Sequence, residues 1–532
     1  MLKTLENIEI FILGEKMKKI IKGLGLALGS AALLASFASC AGKQTASFED
    51  DLSEHVVITY MTTGNKPSNS ATDDMLKELN KILTEKVNAE LQIYYIPWTN
   101  YLTNYNLTLA QMDGTVDLVG TASDWLDAWK NSKNGAFLAL PEEAIAKYAP
   151  KTYESVSKEH WEMCKYDGEI YLMPEDNYAQ WINHGFMYRM DWAREAGLYD
   201  GVHSWEDLTK YFESVKAMRP SVIPWDSDGA ASTYHADGYI QSKSDYVALD
   251  GISTLLMYGV RRSDLNTVYT PFLEGNELIE YAKLMKKWDE IGVWKKDVLN
   301  NSSDNRSEFY LGQTAVDQHH SQTWYTTVRP EMDEKQPGSE VEFFWFGEES
   351  GNVTTMTITH GAMAISAASK HPARALAVYD LLRNDKKCYD LFNYGIEGRQ
   401  YELTEDGYRR KPAGYSEDKD GIVTDFWWGR NDDLEIRDSR GAWDKFDEIC
   451  EVYNKTKLDY PYGQIVWDVD AINSELSNIS DVWANYMGRI CYGKMDDPEA
   501  YVAEFRDALR KAGIERVIAS LQAQLDAFNA TK

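Results

Sequence analysis

HVVITYMTT (residues 55–63), ELQIYYIP (90–97) and VDLVGTAS (116–123) are three apolar, β-branched runs, each typical of a buried strand. Between them lie ATDDMLKELNKILTEKVNA (71–89) and YLTNYNLTLAQMDG (101–114), which carry apolar residues at helical spacing. This alternation predicts βαβ units with right-handed crossovers and a mostly parallel sheet. Ligands of such sheets bind beyond the carboxyl ends of the strands, where this sequence places aromatic and polar residues.

The same alternation returns in the rest of the chain. Helical spacing predicts helices at 193–198, 204–220, 276–292 and 371–395, and a mainly helical region at 441–532; apolar runs predict strands at 184–191, 341–347 and 355–369. Because the α/β pattern resumes after each interruption, we expect two lobes woven together rather than separate domains in a row.

Composition excludes several classes of function. The chain has 532 residues, 44% of them hydrophobic, so it can bury a large core. Its 55 basic residues against 84 acidic ones give a net charge of −29, which argues against a nucleic-acid partner and against electrostatic docking on an anionic membrane. Tyr (33) and Trp (17) outnumber Phe (16), a bias that suits polar-ligand surfaces better than a dry core.

The N-terminal region reads as an export signal. In MKKIIKGLGLALGSAALLASFASC (17–40), lysines precede an uncharged Ala- and Leu-rich stretch, and small residues lie just before Cys40. This resembles a bacterial lipoprotein signal. We therefore expect 1–39 to be a signal peptide, with Met17 as the alternative start, and 40–54 to be a tether anchored by a lipid on Cys40. An ordinary signal peptide with an incidental cysteine is the competing interpretation.

Motifs of common enzymes and metal sites are missing from the sequence. It has no GxSxG, HExxH, GxxxxGK[ST] or strand-linked GxGxxG pattern. His319 and His320 are adjacent on a predicted strand and should point to opposite faces, so we predict neither a metal nor a cofactor. The cysteines after Cys40 form no CxxC pattern and are predicted to be mostly free, buried thiols: Cys164, Cys388, Cys450 and Cys491.

Several segments, in this order, resemble extracellular solute-binding proteins of carbohydrate ABC importers. They are GAFLALPEEAIAKYAP (135–150), DGEIYLMPE (167–175), MDWAREAGLYDGVHSWEDLTKYFESVKAMRP (190–220), GQTAVDQHHSQTW (312–324), FNYGIEGRQYEL (392–403) and DFWWGRN (425–431). The last two narrow the resemblance to a large lipoprotein branch of the family. Arg430 departs from the family's usual Trp-Gly-Asn, and a guanidinium there would suit an acidic sugar.

The resemblance implies a type II periplasmic-binding-protein fold, in which two interwoven α/β lobes are joined at a hinge and enclose a ligand in the cleft between them. The expected lobes are 50–175 with 355–437, and 178–352 with 440–532. The expected crossings lie near 174–178, 352–356 and 436–445.

A sugar in such a cleft needs two kinds of contact. Trp and Tyr rings cover the C–H face of a pyranose, and polar side chains bond its hydroxyls. The candidate ligand-binding residues are Trp98, Trp125, Tyr178, Trp181, Asp317, His319, Trp324, His360, Trp427, Trp428 and Arg430. Four other tryptophans lie on helical patterns and are predicted to be structural: Trp192, Trp205, Trp294 and Trp483.

The sequence therefore predicts a monomeric binding protein and not an enzyme. It would lie outside the cytoplasm on a lipid anchor in the cell membrane, capture a carbohydrate ligand by lobe closure and deliver it to an ABC permease. Two alternatives stay open. One is a secreted, lipid-anchored glycosidase or polysaccharide lyase, since paired carboxylates are easy to find among 84 acidic residues. The other is a binding protein for another polar solute, such as a peptide.

Overall fold

The computed structural model describes residues 48–176, 183–227, 229, 233–252 and 256–531. The predicted signal peptide (1–39) and Cys40 lie outside these residues. The end of the predicted tether is not a free segment. Asp50 accepts a hydrogen bond of 2.7 Å from the Nε of Arg374, and the Arg374 side chain is fully buried. The fold therefore begins before residue 54.

Strands and helices alternate along the described residues. The strands are β1 (Val56–Thr63), β2 (Ala89–Ile96), β3 (Leu118–Thr121), β4 (Lys165–Tyr166), β5 (Glu169–Ile170), β6 (Met173–Pro174), β7 (His184–Arg189), β8 (Tyr246–Ala248), β9 (Gly259–Arg261), β10 (Asp264–Tyr269), β11 (Val316–His320), β12 (Val341–Trp345), β13 (Ala362–Ile365), β14 (Glu402–Leu403) and β15 (Arg409–Arg410). The helices are α1 (Ala71–Val87), α2 (Tyr101–Ala110), α3 (Ala128–Lys133), α4 (Glu142–Tyr148), α5 (Pro150–Ser155), α6 (Lys158–Met163), α7 (Met190–Glu195), α8 (Trp205–Met218), α9 (Tyr234–Lys243), α10 (Glu277–Ile291), α11 (Asn305–Tyr310), α12 (Ser321–Thr323), α13 (Arg329–Lys335), α14 (Pro372–Asn384), α15 (Lys386–Tyr394), α16 (Glu417–Asp420), α17 (Trp443–Thr456), α18 (Asn473–Cys491), α19 (Pro498–Ala512) and α20 (Ile514–Asn529).

The first lobe is built around a sheet with the strand order β2-β1-β3-β13-β6. β1 runs parallel to β2 and β3, as the βαβ pattern predicted, and β13 joins antiparallel to β3 and β6. β3 is buried along its whole length, and α1 packs with Met75, Leu79 and Leu83 buried. β13 comes from far along the chain, so the polypeptide returns to its first sheet after building a second one.

The second lobe is built around the antiparallel sheet β11-β7-β12. Its core is rich in aromatic rings: Phe186 of β7 packs edge to face against Trp205 and Trp225, with centroids 5.9 and 5.0 Å away. All four tryptophans predicted to be structural are buried, with 1–9% of their surface exposed: Trp192, Trp205, Trp294 and Trp483. That prediction is confirmed.

The chain passes between the two sheets more than once. It leaves the first sheet after β6, enters the second at β7, and returns between β12 and β13. It goes back again before α17, whose Ile449 and Tyr453 belong to a second-lobe core cluster. The crossings and the lobe limits given above remain predictions.

The C-terminal region is helical, as predicted, and α19 packs against α10 and α18. Among the described residues, no helix combines the length and apolar character needed to cross a bilayer. Cys164, Cys388, Cys450 and Cys491 are free thiols, and all but Cys450 are buried.

Candidate ligand-binding site

A group of aromatic rings lies beyond the strand ends of the first lobe. We call Trp98, Tyr101, Trp125, Trp427 and Trp428 the tryptophan platform. Trp98 stacks on Trp427 with centroids 5.8 Å apart, and on Trp125 at 6.3 Å. Trp98 is 41% exposed and Trp427 is 36% exposed, which is unusual for side chains of this size. The platform therefore offers flat apolar surface to a ligand.

Trp428 is the base of the platform rather than a contact surface. It is fully buried, donates a hydrogen bond of 3.2 Å from Nε1 to the Oγ1 of Thr62, and stacks under Trp125 at 5.7 Å. A Cβ on Gly120 of β3 would collide with its indole ring, so the ring lies flat on this glycine. The predicted ligand contact by Trp428 is therefore corrected to a supporting position.

The loop that carries Trp427 is fixed to the end of β1. The carbonyl oxygen of Asp425 accepts hydrogen bonds from the Tyr60 hydroxyl at 2.9 Å and from the Thr62 hydroxyl at 3.0 Å. Asp425 has a φ of 43°, which turns the chain sharply ahead of the two tryptophans. This anchoring brings residues distant in sequence onto the carboxyl ends of β1 and β3.

Behind the platform lies a group of ionisable side chains, Asp124, His360, Glu175 and Asp250, that we call the acid–imidazole array. The Nδ1 of His360 is 2.6 Å from the Oδ2 of Asp124, and Trp125 donates from Nε1 to the His360 carbonyl at 3.3 Å. Burial lowers the pKa of His360, but Asp124, Glu175 and Asp250 outweigh it and the pKa is raised. Burial raises the pKa of Glu175 to about 8.

Asp250 reaches this array from the second lobe. It lies between β8 and β9, and its backbone N–H donates to the Tyr460 hydroxyl at 2.8 Å. A Cβ on the next residue, Gly251, would lie 3.7 Å from the carbonyl oxygen of Ser123 in the first lobe. Burial raises the pKa of Asp250 to about 7, with Asp124 adding to the shift and His360 opposing it.

The second lobe contributes a polar pocket of about 560 Å³. We call it the second-lobe pocket; it is lined by His184, Trp225, Tyr234, Ser303, Asp304, Asn305, Arg306, Ser307, Tyr310, Asp317, Gln318 and His319. Tyr234 stacks on His184 at 4.7 Å with nearly parallel rings, and is 49% exposed. Burial raises the pKa of Tyr101, and Asp127 and then Tyr234 add to the shift, so the pocket lies close to the platform.

Two of the predicted ligand-binding residues, Asp317 and His319, have different roles in this pocket. Asp317 is buried and accepts a hydrogen bond of 2.7 Å from the Nε of Arg306, so it orients the guanidinium that lines the pocket. His319 lines the pocket itself, and its Nδ1 is 3.0 Å from the Thr323 hydroxyl. Burial lowers the pKa of His184 to about 4, which leaves this imidazole neutral at pH 7.

The expectation that His319 and His320 point to opposite faces is wrong. Their ring centroids are 4.1 Å apart, because β11 ends at His320 and the chain turns into α12. In the part of the chain that the structure describes, no three His, Cys, Asp or Glu side chains are placed to hold an ion together.

The remaining predicted residues fall into three groups. Trp324 is wrong as a ligand contact, because it is 3% exposed, stacks on Phe343 at 5.5 Å and donates to the Val341 carbonyl at 3.1 Å within the second-lobe core. Arg430 pairs with Glu435 at 3.0 Å. Tyr178 and Trp181 lie outside the described residues.

Sequence reasoning missed Tyr101, His184, Tyr234, Arg306, Asp124 and Asp250. Tyr101 and Asp124 were within reach, since both lie beside a predicted platform tryptophan at a strand end. The others lie at the start of β7 (His184), on α9 and α11 (Tyr234 and Arg306) and between β8 and β9 (Asp250), and only the tertiary structure determines their neighbours.

Two woven α/β lobes, with an aromatic platform on one and a polar pocket on the other, define a two-lobed ligand-binding protein. The sequence profile of the bacterial extracellular solute-binding proteins matches residues 64–387. The chain belongs to this family, whose name places it outside the cytoplasm. A domain of unknown function (DUF3502) matches residues 461–530.

Relatives and solved structures agree with this assignment. A carbohydrate ABC transporter substrate-binding protein of Streptococcus pneumoniae is 23% identical, covering 93% of this chain and 96% of that protein. The crystal structure of an N-glycan transport solute-binding protein from Streptococcus pneumoniae has a TM-score of 0.70 at 19% identity, covering 89% of this chain and 99% of that one. An extracellular solute-binding protein from Bifidobacterium longum subsp. infantis has a TM-score of 0.65 at 15% identity, with 89% and 98% covered. The predicted type II fold is confirmed.

Proposed function

We propose that this chain is the substrate-binding lipoprotein of an ABC importer, and that it captures an oligosaccharide between its lobes for a membrane permease. The observation that carries this proposal is the platform, where Trp98 and Trp427 stack and keep 41% and 36% of their surfaces exposed. Neighbouring exposed aromatic rings of this kind mark sites of ligand binding or protein interaction, and these rings lie at strand ends where ligands of such sheets bind.

The chemistry of the platform suits a sugar ring. Stacked indoles are rigid and cover the C–H face of a pyranose with little loss of rotamer entropy. Hydroxyls at the rim of the sugar would meet polar groups of the second-lobe pocket, including Arg306, Gln318 and His319. A peptide offers such a face only where it carries an aromatic or proline side chain, whereas every pyranose unit of a glycan has one, which favours the carbohydrate.

Division of the site between two lobes supports capture by closure. A ligand that touches both lobes stabilises the closed arrangement by its differential affinity for that state. The names of two similar proteins, a carbohydrate ABC transporter substrate-binding protein and an N-glycan transport solute-binding protein, support the same function.

The proposal includes a lipid anchor that holds the protein at the cell membrane. The basic and apolar segment 17–39 followed by Cys40 supports a lipid anchor on the outer face of the cell membrane. The missing P-loop is consistent with a separate ATP-hydrolysing subunit. We propose a monomer that presents the closed form to the permease.

Calorimetry on the full-length chain, in a detergent without a sugar headgroup, tests the proposal. Oligosaccharides and peptides of matched size are titrated, and each mixture is then examined for products. We expect saturable binding of at least one oligosaccharide, no product, and compaction by small-angle scattering. Binding of peptides alone, or turnover of a glycan, would contradict the proposal.

A further inference from the structure

We infer that the site selects uncharged oligosaccharides and rejects anionic sugars such as uronates. The inference rests on the proposed carbohydrate function and adds the charge class of the ligand. It reverses the expectation that Arg430 would suit an acidic sugar.

The guanidinium groups bordering the site are already matched to carboxylates of the protein. Arg306 pairs with Asp317 at 2.7 Å, Arg430 with Glu435 at 3.0 Å, and Arg383 with Asp176 at 2.9 Å. Glu435 also accepts hydrogen bonds from the hydroxyls of Tyr389 at 2.6 Å and Tyr394 at 2.8 Å. Arg430 is therefore part of a structural network, and a ligand carboxylate would have to compete with Glu435 for it.

In the lining of the second-lobe pocket, carboxylates outnumber guanidinium groups. Among the residues lining the second-lobe pocket, Asp304 and Asp317 stand against one cation, Arg306. Behind the platform, the single imidazole of the array, His360, is already held by Asp124 at 2.6 Å, while Glu175 and Asp250, whose pKa values burial raises to about 8 and about 7, are wholly or partly protonated at pH 7.

Two histidines in or beside the pocket, His184 and His320, do not offset this charge. His184 is neutral because burial lowers its pKa to about 4, and burial also lowers the pKa of His320 to about 3. Neutral imidazoles can exchange hydrogen bonds with hydroxyls, but they do not compensate a carboxylate.

This arrangement of charges affects uncharged and anionic sugars differently. A sugar hydroxyl can donate to a protein carboxylate, so acidic groups are good partners for an uncharged glycan. A ligand carboxylate would lose hydration on entry, would find the three arginines already paired with protein carboxylates, and would face Asp304 and Asp317 in the pocket lining. Repulsion of this kind gives specificity by penalising the wrong ligand.

A matched pair of ligands isolates charge from shape. We would titrate the full-length chain with oligogalacturonides and with their fully methyl-esterified forms, alongside neutral hexose and N-acetylhexosamine oligosaccharides and their uronate-containing counterparts. We expect neutral members to bind, each at least tenfold more tightly than its anionic counterpart.

Each outcome is decisive. An anionic oligosaccharide that binds within threefold of its neutral counterpart overturns the inference while leaving the proposed function intact. Failure of every glycan to bind overturns the proposed function and this inference with it.

A charge-removing variant supplies a second readout. Asp304 accepts hydrogen bonds from the N–H and hydroxyl of Ser307 at the start of α11, and Asn fills this capping position well. In Asp304→Asn we expect the ratio of anionic to neutral affinity to rise about fivefold. Asp481→Asn on the exposed surface of α18 removes the same charge and should leave the ratio unchanged. An unchanged ratio in Asp304→Asn, or an equal rise in both variants, counts against the inference.

Discussion

The tryptophan platform and the second-lobe pocket are built in opposite ways. The platform is a stack of indoles fixed from beneath by buried contacts, as with Trp428 on Gly120 and Asp425 on β1. The pocket is a polar volume of about 560 Å³, bordered by side chains that exchange hydrogen bonds with one another. From this comparison we infer that the platform supplies most of the binding energy and that the pocket discriminates among ligands.

The two regions also differ in how they tolerate change. A stacked indole exposes apolar area to any pyranose, so it contributes affinity with little selectivity. A polar pocket penalises a ligand that leaves its groups unpaired. Substitutions in the two regions should therefore affect different measurements.

The largest effect is expected beneath the platform. Trp428→Ala removes a fully buried indole and should lower the free energy of unfolding by about 3–5 kcal/mol. It also removes the support of Trp125, so glycan affinity should fall even where the variant is folded. Chemical denaturation and calorimetry measure the two effects. Trp324→Ala, in the second-lobe core, should lower stability to a similar degree without loss of the platform; equal affinity losses in both variants would contradict the assignment.

The next largest effect is expected at Trp427, where a substitution should change glycan affinity but not stability. Trp427→Ala should weaken glycan binding by about 1–3 kcal/mol, because it removes an exposed stacking surface and little of the core. Denaturation midpoints should stay close to those of the unmodified chain. If titration shows unchanged affinity, Trp427 does not contact the ligand, and the proposal that the platform stacks on the glycan is contradicted.

Sequence reasoning reached the platform because its pattern is local. β1, β2 and β3 have strong periodic signals, and Trp98 and Trp125 follow directly after two of these strands. The carboxyl ends of parallel neighbours meet at one edge, so sequence position predicted spatial position. Trp427 and Trp428 came instead from the resemblance to a family, since no local pattern links residue 427 to β1.

The pocket was harder to predict for a physical reason. His184 lies at the start of β7, whereas Tyr234 and Arg306 lie on α9 and α11. These helices meet through their packing on the paired strands β7 and β11, which no local sequence pattern reveals. The predicted ligand contacts of Trp324 and Trp428 were wrong because both side chains are buried, one in the second-lobe core and one beneath the platform. Neither differs in sequence pattern from an exposed tryptophan. The opposite-face argument for His319 and His320 failed because the strand ends there and the backbone turns.

Proton linkage offers a test of how the lobes meet. Burial, together with the charge of Asp124, raises the pKa of Asp250 to about 7 although His360 opposes the shift, and separation of the lobes would return the pKa toward the ordinary value of about 3.9. Because protonated Asp250 is favoured in the closed arrangement, its raised pKa stabilises closure at low pH. This stabilisation is complete below the ordinary pKa of about 3.9 and is lost as the pH rises through about 7. The raised pKa of His360 acts in the same direction.

Glycan affinity should therefore rise about tenfold from pH 8 to pH 6 if closure brings Asp250 to the array. The groups that face Asp250 are Asp124, His360 and Tyr460. Calorimetry in buffers of different ionisation enthalpy should report proton uptake near pH 7. Asp250→Asn should flatten the profile and Asp481→Asn should not. Affinity that increases with pH would refute this linkage.

The smallest effect is expected at the edge of the pocket. Tyr234→Ala removes a half-exposed ring stacked on His184 at 4.7 Å and should weaken glycan binding by about 0.5–1.5 kcal/mol. Tyr199, which is 74% exposed, provides a matched control, and Tyr199→Ala should leave affinity unchanged. The ratio of the Trp427→Ala and Tyr234→Ala losses measures how unequally the lobes hold the ligand. A Tyr234→Ala loss larger than that of Trp427→Ala would place the main binding energy in the second lobe and reverse the comparison, because the polar pocket would then supply affinity as well as selection.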